Sequence, residues 1–270
     1  MMFRGMRLGS LTVMGKLNRG TESQVWLVED KFGKKFAVKD YVDFPSRYRQ
    51  NEVVMHRKLG KHENISTPLD DAFHVKKNAS VHNILPNSLV FKYYKRGDLA
   101  DYHDVTQGED IEHQLLDSMT GLWKGLAHCH ANDICHRDIK PQNILYDDAR
   151  NTVLLTDFGM SHSAIKMTSA GTSFYYSAPE CFGRMKHPPY NYKCDIWSAG
   201  VTYLTMLSGT YILEENHGHN IRLRGHKYLE KNFSYNWNKL SDVSKMILTS
   251  TLKPNPRDRC EAEDIVKVLA

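Results

Sequence analysis

The 270-residue chain has no stretch that approaches the ~18 consecutive apolar residues needed to cross a bilayer, so no membrane-spanning segment is expected. Its N-terminus, Met1 to Leu17, scatters Arg4, Arg7, Ser10, Thr12 and Lys16 among apolar residues and lacks the unbroken apolar centre of a secretory signal. Cysteine is scarce: five residues, an odd number, with no Cys-x-x-Cys pair. That argues against a disulfide scaffold and for reduced thiols in an intracellular compartment, cytoplasmic or nuclear. Low-complexity tracts and repeats of the 20–50-residue kind are missing too. Charge of one sign is modest, 36 basic against 31 acidic residues for a net +5. So small an excess gives no reason to expect a nucleic-acid partner, and no membrane partner is expected either.

What is present is ordinary globular composition, 41% hydrophobic and 25% charged, with an uneven charge distribution. Residues 1–97 carry 18 basic and 9 acidic side chains, and residues 98–270 carry 18 and 22. A basic first third and an acidic remainder fit two lobes. The first third reads as strands: Leu11–Met14, Val25–Val28 and Lys35–Lys39 are short, rich in β-formers and separated by polar turns. Pro45-Ser46 then opens a helical stretch through Leu59, and further β-like runs follow at Leu69–Val75 and Ser88–Tyr93. After the Lys95-Arg96-Gly97 break the texture becomes helical. Ile111, Leu115, Met119, Leu122, Trp123 and Leu126 recur at three and four residues, and acids at 109, 110 and 112 complement the helix start. Helical patterns return at Asp195–Leu207, Ser241–Leu252 and Glu261–Leu269. Between them lie the short apolar runs Ile144–Tyr146 and Val153–Leu155. The expectation is an α+β architecture: a small strand-rich lobe (1–91), a hinge (92–97) and a larger helical lobe (98–270).

One segment outranks the rest for chemistry, His136-Arg137-Asp138-Ile139-Lys140-Pro141-Gln142-Asn143. It sets a carboxylate, an ammonium and a carboxamide within six residues, after a helix and before a strand. Fourteen residues beyond Asn143 comes Asp157-Phe158-Gly159. Phosphoryl transfer uses such groups: a carboxylate to orient the attacking hydroxyl, a lysine to steady the phosphoryl group, and an Asn with a second Asp to hold Mg²⁺.

At these residues the chain resembles a eukaryotic-type serine/threonine protein kinase catalytic domain, and the likeness covers essentially all of it. The resemblance implies the two-lobed kinase fold, ATP and Mg²⁺ as cofactors (with Mn²⁺ an alternative ion), and protein substrates. Ala37-Val38-Lys39 matches the strand motif whose lysine contacts the ATP phosphates, and Glu52 falls where that lysine finds its carboxylate partner. Asp138 matches the base, Lys140 the phosphate contact, Asn143 and Asp157 the Mg²⁺ ligands. Ala178-Pro179-Glu180 ends the activation segment, with Arg259 as the partner of Glu180, and Asp195 matches the aspartate that anchors the catalytic loop backbone. ATP is then expected in the cleft between lobes, near Val25, Ala37 and Leu145, with Phe91 as gatekeeper and adenine against Lys92, Tyr93 and Tyr94.

The glycine-rich loop departs from the pattern. Aligned on Val25, the stretch Asn18 to Val25 keeps only Gly20 of three glycines. Asn18 tolerates left-handed backbone and Ser23 is small, so closure over phosphates remains open to it. The departure sustains an alternative reading, a pseudokinase scaffold with weakened nucleotide binding. A small-molecule kinase of related fold is a second alternative, disfavoured because Gly171-Thr172 through Glu180 looks like a peptide-binding segment.

Lys140 and Thr172 are what serine/threonine members of the family show, and Met160 leans toward serine as acceptor. The stretch Gly171–Glu180 is one residue longer than the commonest form. Arg137 suggests a docking charge for a phosphate on the activation segment, with Thr168 and Ser169 as candidate phosphosites. The segment from Asp157 to Glu180 is only 24 residues, short enough to hold an active shape unaided. Residues 98–123 hold seven acids and no Lys or Arg. Asp98, matching a position that meets ribose and an upstream substrate arginine, therefore raises the expectation of basic residues before the phosphosite; a plain solvated face is the competing reading, and Gln142 lacks a supporting carboxylate. His128, Cys129, His130, Cys135 and His136 resemble a metal cluster but sit where the family has a Cys-His pair, so no metal is expected there. The basic stretch 217–231 reads as a solvated face or a docking site for a partner. The whole reads as a bare catalytic domain.

Overall fold

The computed structural model describes residues 2–8, 10–19, 23–41, 46–69, 87–103, 111–163, 175–182, 191–208, 221–222, 224–232 and 237–270. The chain divides into two units. One comprises Met1–His62, Ser66–Lys95 and Phe158–Met160; the other comprises Glu63–Ile65, Arg96–Asp157 and Ser161–Ala270.

The first unit is built on a five-stranded antiparallel sheet in chain order, β1 (Arg7–Leu8), β2 (Leu11–Arg19), β3 (Gln24–Asp30), β4 (Lys35–Asp40) and β5 (Ser88–Lys92). Strand alternation sends Val13, Trp26, Val28 and Val38 into one buried cluster with Met2, Leu8 and Leu11. The opposite parity on β4 and β5, Ala37, Leu89 and Phe91, forms a second cluster with Tyr41, Tyr48 and Val53. Tyr48 and Val53 come from α1 (Ser46–Leu59), so this helix covers one face of the sheet. Its last turn carries His56, Arg57 and Lys58, which complement the carbonyl end of the helix. It stops at Gly60, whose φ of +66° lets its N–H return to the His56 carbonyl at 2.9 Å.

The sheet is larger than the pattern indicated. β2 extends five residues past Met14, through irregularities between Val13 and Gly15 and between Lys16 and Asn18 that reset which side chains face the core. Bulges of this kind erase the alternation by which a strand is read. β1 is only two residues long, and its pairing, Arg7 with Thr12 and Leu8 with Leu11, leaves no periodic signature. Of the β-like run at Leu69–Val75, Leu69 donates its N–H to Val90 at 2.8 Å without joining a strand, and the rest lies outside the described residues.

The second unit is mostly helical: α2 (Leu99–His103), α3 (Ile111–Ala131), α4 (Lys193–Ser208), α5 (His226–Asn232), α6 (Asp242–Thr251) and α7 (Ala262–Leu269). Two small hairpin-like sheets accompany them, β6 (Ile134–Cys135) with β9 (His162–Ser163), and β7 (Ile144–Asp147) with β8 (Thr152–Leu155). The stripe expected on α3 is buried, from Leu115 through Met119, Leu122 and Trp123 to Leu126. Gly121 lets this helix lie against β8, because a Cβ there would fall 2.4 Å from Thr152 Oγ1 and 2.5 Å from the Val153 carbonyl. α4 is buried almost all round, with 14 of its 16 residues inside, the condition of a central core helix. Among the described residues no helix is long and apolar enough to cross a membrane.

Candidate active site

In the first unit β4 carries Lys39 and α1 carries Glu52, and both side chains are buried. Lys39 Nζ donates to Glu52 Oε2 at 2.7 Å, and the Tyr41 hydroxyl donates to the same oxygen. His56, one turn further along α1, brings Nε2 to 3.9 Å from Glu52 Oε1. Burial pushes the Glu52 carboxyl up, but Lys39 and then His56 outweigh it and hold the group well below the usual carboxylate range. Phe158 and Gly159 belong to the same unit. The Phe158 ring is fully buried and meets His56 edge-on at 4.9 Å. Asn51 donates to the Gly159 carbonyl at 2.9 Å. One helix therefore holds the partner of Lys39 and also touches the two residues that follow Asp157.

In the second unit the segment after β6 is fixed from below by Asp195, in the first turn of α4. Its Oδ2 accepts from the His136 N–H at 2.8 Å and its Oδ1 from the Arg137 N–H at 2.9 Å. His130 Nε2 lies 3.1 Å from the same carboxylate. Burial raises the Asp195 carboxyl, while His130, His136 and the backbone N–H of Arg137 lower it further, so the net direction is down. This clamp holds Arg137 at φ +72°, in the left-handed region that residues other than glycine seldom adopt. Asp157 is also left-handed, at φ +65°. Backbone strain at both positions is held by the surrounding bonds, including His136 Nε2 to the Thr156 carbonyl at 3.0 Å and Ser161 Oγ to the His136 carbonyl at 3.2 Å.

Asp138 emerges from this frame with two neighbours on its Oδ2, Lys140 Nζ at 2.7 Å and Asn143 Nδ2 at 2.8 Å. Asn143 also donates to the Asp138 carbonyl at 2.8 Å. A single-turn helix, Pro141–Asn143, carries the loop back into β7, and the Thr156 N–H bonds the Asn143 carbonyl at 3.1 Å. That backbone bond brings Asn143 beside the Thr156-Asp157 step. An amide oxygen and a carboxylate are hard oxygen donors, the chemistry that Mg²⁺ or Mn²⁺ takes. The donor set therefore fits the implied ion.

Glu180 and Arg259 form a buried bidentate pair at 2.7 and 2.8 Å. Arg259 further donates to the carbonyls of Lys253, Lys193 and Pro254, and its guanidinium lies 5.0 Å from the Trp197 ring centroid. Asp98 caps α2, its Oδ1 accepting from Ala100 at 2.9 Å and Asp101 at 3.1 Å, and burial raises its carboxyl despite the lowering by these N–H bonds. Leu145 bridges to Asp98 through the backbone. Val25 pairs with Lys39 and Asn18 with Val25 across the sheet, Ala37 stands opposite the buried Phe91, and Lys92 lies over the Tyr94 ring at 4.7 Å. Tyr93 follows β5 directly.

Gly20, Thr168, Ser169, Gly171 and Thr172 lie outside the described residues, as do 217–220 and 223 of the basic stretch. In its described part Ile221 and Leu229 are buried and Arg222 is stacked 4.6 Å from the Phe182 ring, while Arg224, Lys227 and Lys231 are exposed. Tyr41, Asn51 and His56 carry no mark of the site in the sequence, and His130 stands out there only within the cluster His128 to His136. Each acts on a partner already singled out, from positions whose residue types carry no catalytic signature.

A family model described as the protein kinase domain matches residues 11–268, and the chain belongs to that family. Among curated proteins it is similar to the probable serine/threonine-protein kinase HSL1 of Saccharomyces cerevisiae, 27% identical over 186 residues, which are 66% of this chain and 12% of that protein. It is 34% identical over 159 residues to human MAP kinase-activated protein kinase 2, covering 55% of this chain and 38% of the relative. A third relative is calcium-dependent protein kinase 5 of Plasmodium berghei, 32% identical over 184 residues, 66% of this chain and 32% of that protein. The chain thus spans well under half the length of each of these three. The names of all three relatives describe protein kinases, in keeping with the family model.

Proposed function

We propose that the chain transfers the γ-phosphate of Mg·ATP to serine or threonine hydroxyls of protein substrates. The observation that carries this is the held carboxylate of Asp138, flanked by Lys140 at 2.7 Å and Asn143 at 2.8 Å on a loop pinned by Asp195. In this reading Asp138 orients the substrate hydroxyl and accepts its proton, and Lys140 steadies the migrating phosphoryl group. Lys39, oriented by Glu52 at 2.7 Å, contacts the ATP phosphates. Asn143 and Asp157 hold the metal ion, which when bound neutralises charge on the phosphate oxygens. Val25, Ala37, Phe91 to Tyr94 and Leu145 line the nucleotide, and Asn18 and Gly20 flank its phosphates. Thr172 helps place the acceptor. The substrate carries basic residues before the phosphosite, met by the acidic stretch around Asp98, and the stretch 217–231 docks a partner. Thr168, or else Ser169, receives a regulatory phosphate. Five free cysteines suit a reducing, intracellular compartment.

The test is phosphate transfer from [γ-³²P]ATP to a generic basic protein and to the chain itself, with Lys39→Ala and Asp138→Asn in parallel. Label on serine or threonine should fall roughly 10²–10⁴-fold in Asp138→Asn. Mg·ATP should still raise the melting temperature of that variant. The reduced glycine-rich loop favours one rival, a scaffold that binds nucleotide poorly. No label together with no thermal shift on adding Mg·ATP would establish that rival.

A further inference from the structure

Three of the five cysteines converge at the base of the catalytic loop. Cys135 ends β6, directly before His136, and Cys194 opens α4, directly before Asp195. Their sulfurs are 3.4 Å apart, and both residues are buried. Cys181, in the single-turn helix Pro179–Phe182, is half-buried and neighbours Cys194. Cys194 therefore lies between one fully enclosed cysteine and one that is half-buried. The backbones on either side are already joined, because the His136 N–H meets Asp195 at 2.8 Å. None of these thiols has a part in phosphoryl transfer.

We propose that Cys135 and Cys194 form a disulfide under a hydroperoxide, reached through Cys181, and that this cross-link switches off the phosphotransfer proposed above. The chemistry closes without a further reactant. The hydroperoxide oxidises the Cys181 thiol to a sulfenic acid and leaves as water or an alcohol. The Cys194 sulfur then displaces hydroxide from that sulfenic acid, which departs as water with the thiol proton. Cys135 next attacks the Cys194 sulfur, the Cys181–Cys194 bond breaks, and Cys181 recovers a proton as a thiol. Two thiols are oxidised by two electrons, and one peroxide O–O bond is reduced.

Geometry explains the functional consequence. A disulfide is ~2.05 Å long, so the two sulfurs must approach by ~1.4 Å. That displacement falls on the two residues adjoining the carboxylate clamp that sets Arg137 and, through it, Asp138. Misplacing a catalytic group by ~1 Å can cost ~10²-fold in rate. The thiols react slowly. The Cys194 hydrogen bond draws the Cys135 thiol down, but burial and Asp195 outweigh it and leave it pushed up to about 12. The neighbouring Cys194 and burial also raise Cys181. Poor thiolates attack and leave slowly, so the cross-link forms and exchanges over minutes to hours.

The experiment exposes the whole chain to excess hydrogen peroxide over such a time course. Free thiols are alkylated in denaturant, and disulfide peptides are mapped by mass spectrometry, with fragmentation assigning Cys135 rather than Cys129. The expected product is a Cys135–Cys194 peptide that dithiothreitol removes. Recovery of both residues fully alkylated would overturn the proposal. Cys181→Ser should slow cross-linking about tenfold while giving the same product, and an unchanged rate would remove Cys181 from the route. Phosphotransfer should fall ~10²-fold in cross-linked protein and return on reduction, while Cys135→Ala should be insensitive to that cross-link. A cross-link with undiminished phosphotransfer would overturn the switch. Peptide mapping needs no activity, so an absence of phosphotransfer before oxidation would count against the function proposed above and not against the disulfide.

Discussion

The first unit positions its charged residues by one strand-to-helix contact, Lys39 to Glu52 at 2.7 Å with Tyr41 and His56 around it. The second positions Asp138 through the backbone. Asp195 accepts two main-chain N–H groups, and the loop they hold closes on itself through Lys140 and Asn143. A side-chain pair depends on two rotamers and on the helix that carries one of them. A carboxylate bonded to peptide N–H groups fixes the main chain itself. The first device can be undone by moving α1; the second yields only when the core helix α4 is disturbed.

Substitutions can break this contrast. The largest expected effect on stability belongs to Arg259→Ala in the second unit. It strands the buried Glu180 and frees three carbonyls, and removing one partner of a buried pair typically costs ~3–5 kcal/mol. Urea denaturation should show the midpoint falling with little change in slope. Glu52→Gln in the first unit should cost less, ~2–3 kcal/mol, because the amide oxygen can still accept from Lys39 and Tyr41. It also has a distinct pH signature. The folded-state carboxyl of Glu52 lies below its unfolded value, so its contribution is fully present above about pH 4–5 and is lost as pH falls from there. Stability measured against pH should therefore decline less steeply on the acid side in Glu52→Gln than in the wild type. An identical acid slope would show that the pair contributes nothing through Glu52. Asp195 is lowered as well, so part of the acid decline should survive in that variant.

The smallest effect sharpens the comparison at the edge of the second unit. Ser241 caps α6, accepting from the Ser244 N–H at 3.1 Å and donating to Glu112 of α3 at 2.6 Å. Ser241→Ala should cost about 1 kcal/mol. Phosphotransfer should not change, since neither partner lies near Asp138 in the bonded network.

The charged residues of the candidate site stood out in the sequence because the phosphoryl transfer proposed above would use particular groups in a particular order. Asp138, Lys140 and Asn143 sit within six residues, and Asp157 follows at a fixed interval. The buried stripe of α3 was legible through periodicity, and β7 and β8 appeared only as short apolar runs whose pairing the structure supplied. β1 was not, since two residues make no pattern, and the length of β2 was hidden by its bulges. Contacts over long intervals were also invisible. Asn51 reaches Gly159 across 108 positions and Arg259 reaches Glu180 across 79; the second was expected only from family resemblance.

The sequence by itself determined the class of chemistry, since residue type and spacing specify which groups are offered, and it determined the core faces of strands and helices through their periods of two and 3.6. Only the tertiary structure decided how those groups are held: that Asp195 grips the loop by its main chain, that His56 and Tyr41 share Glu52, and that Cys135 meets Cys194 at 3.4 Å. Spacing along the chain fixes local geometry, but two residues 59 positions apart become neighbours only when burial of the surrounding apolar surface closes the loop between them.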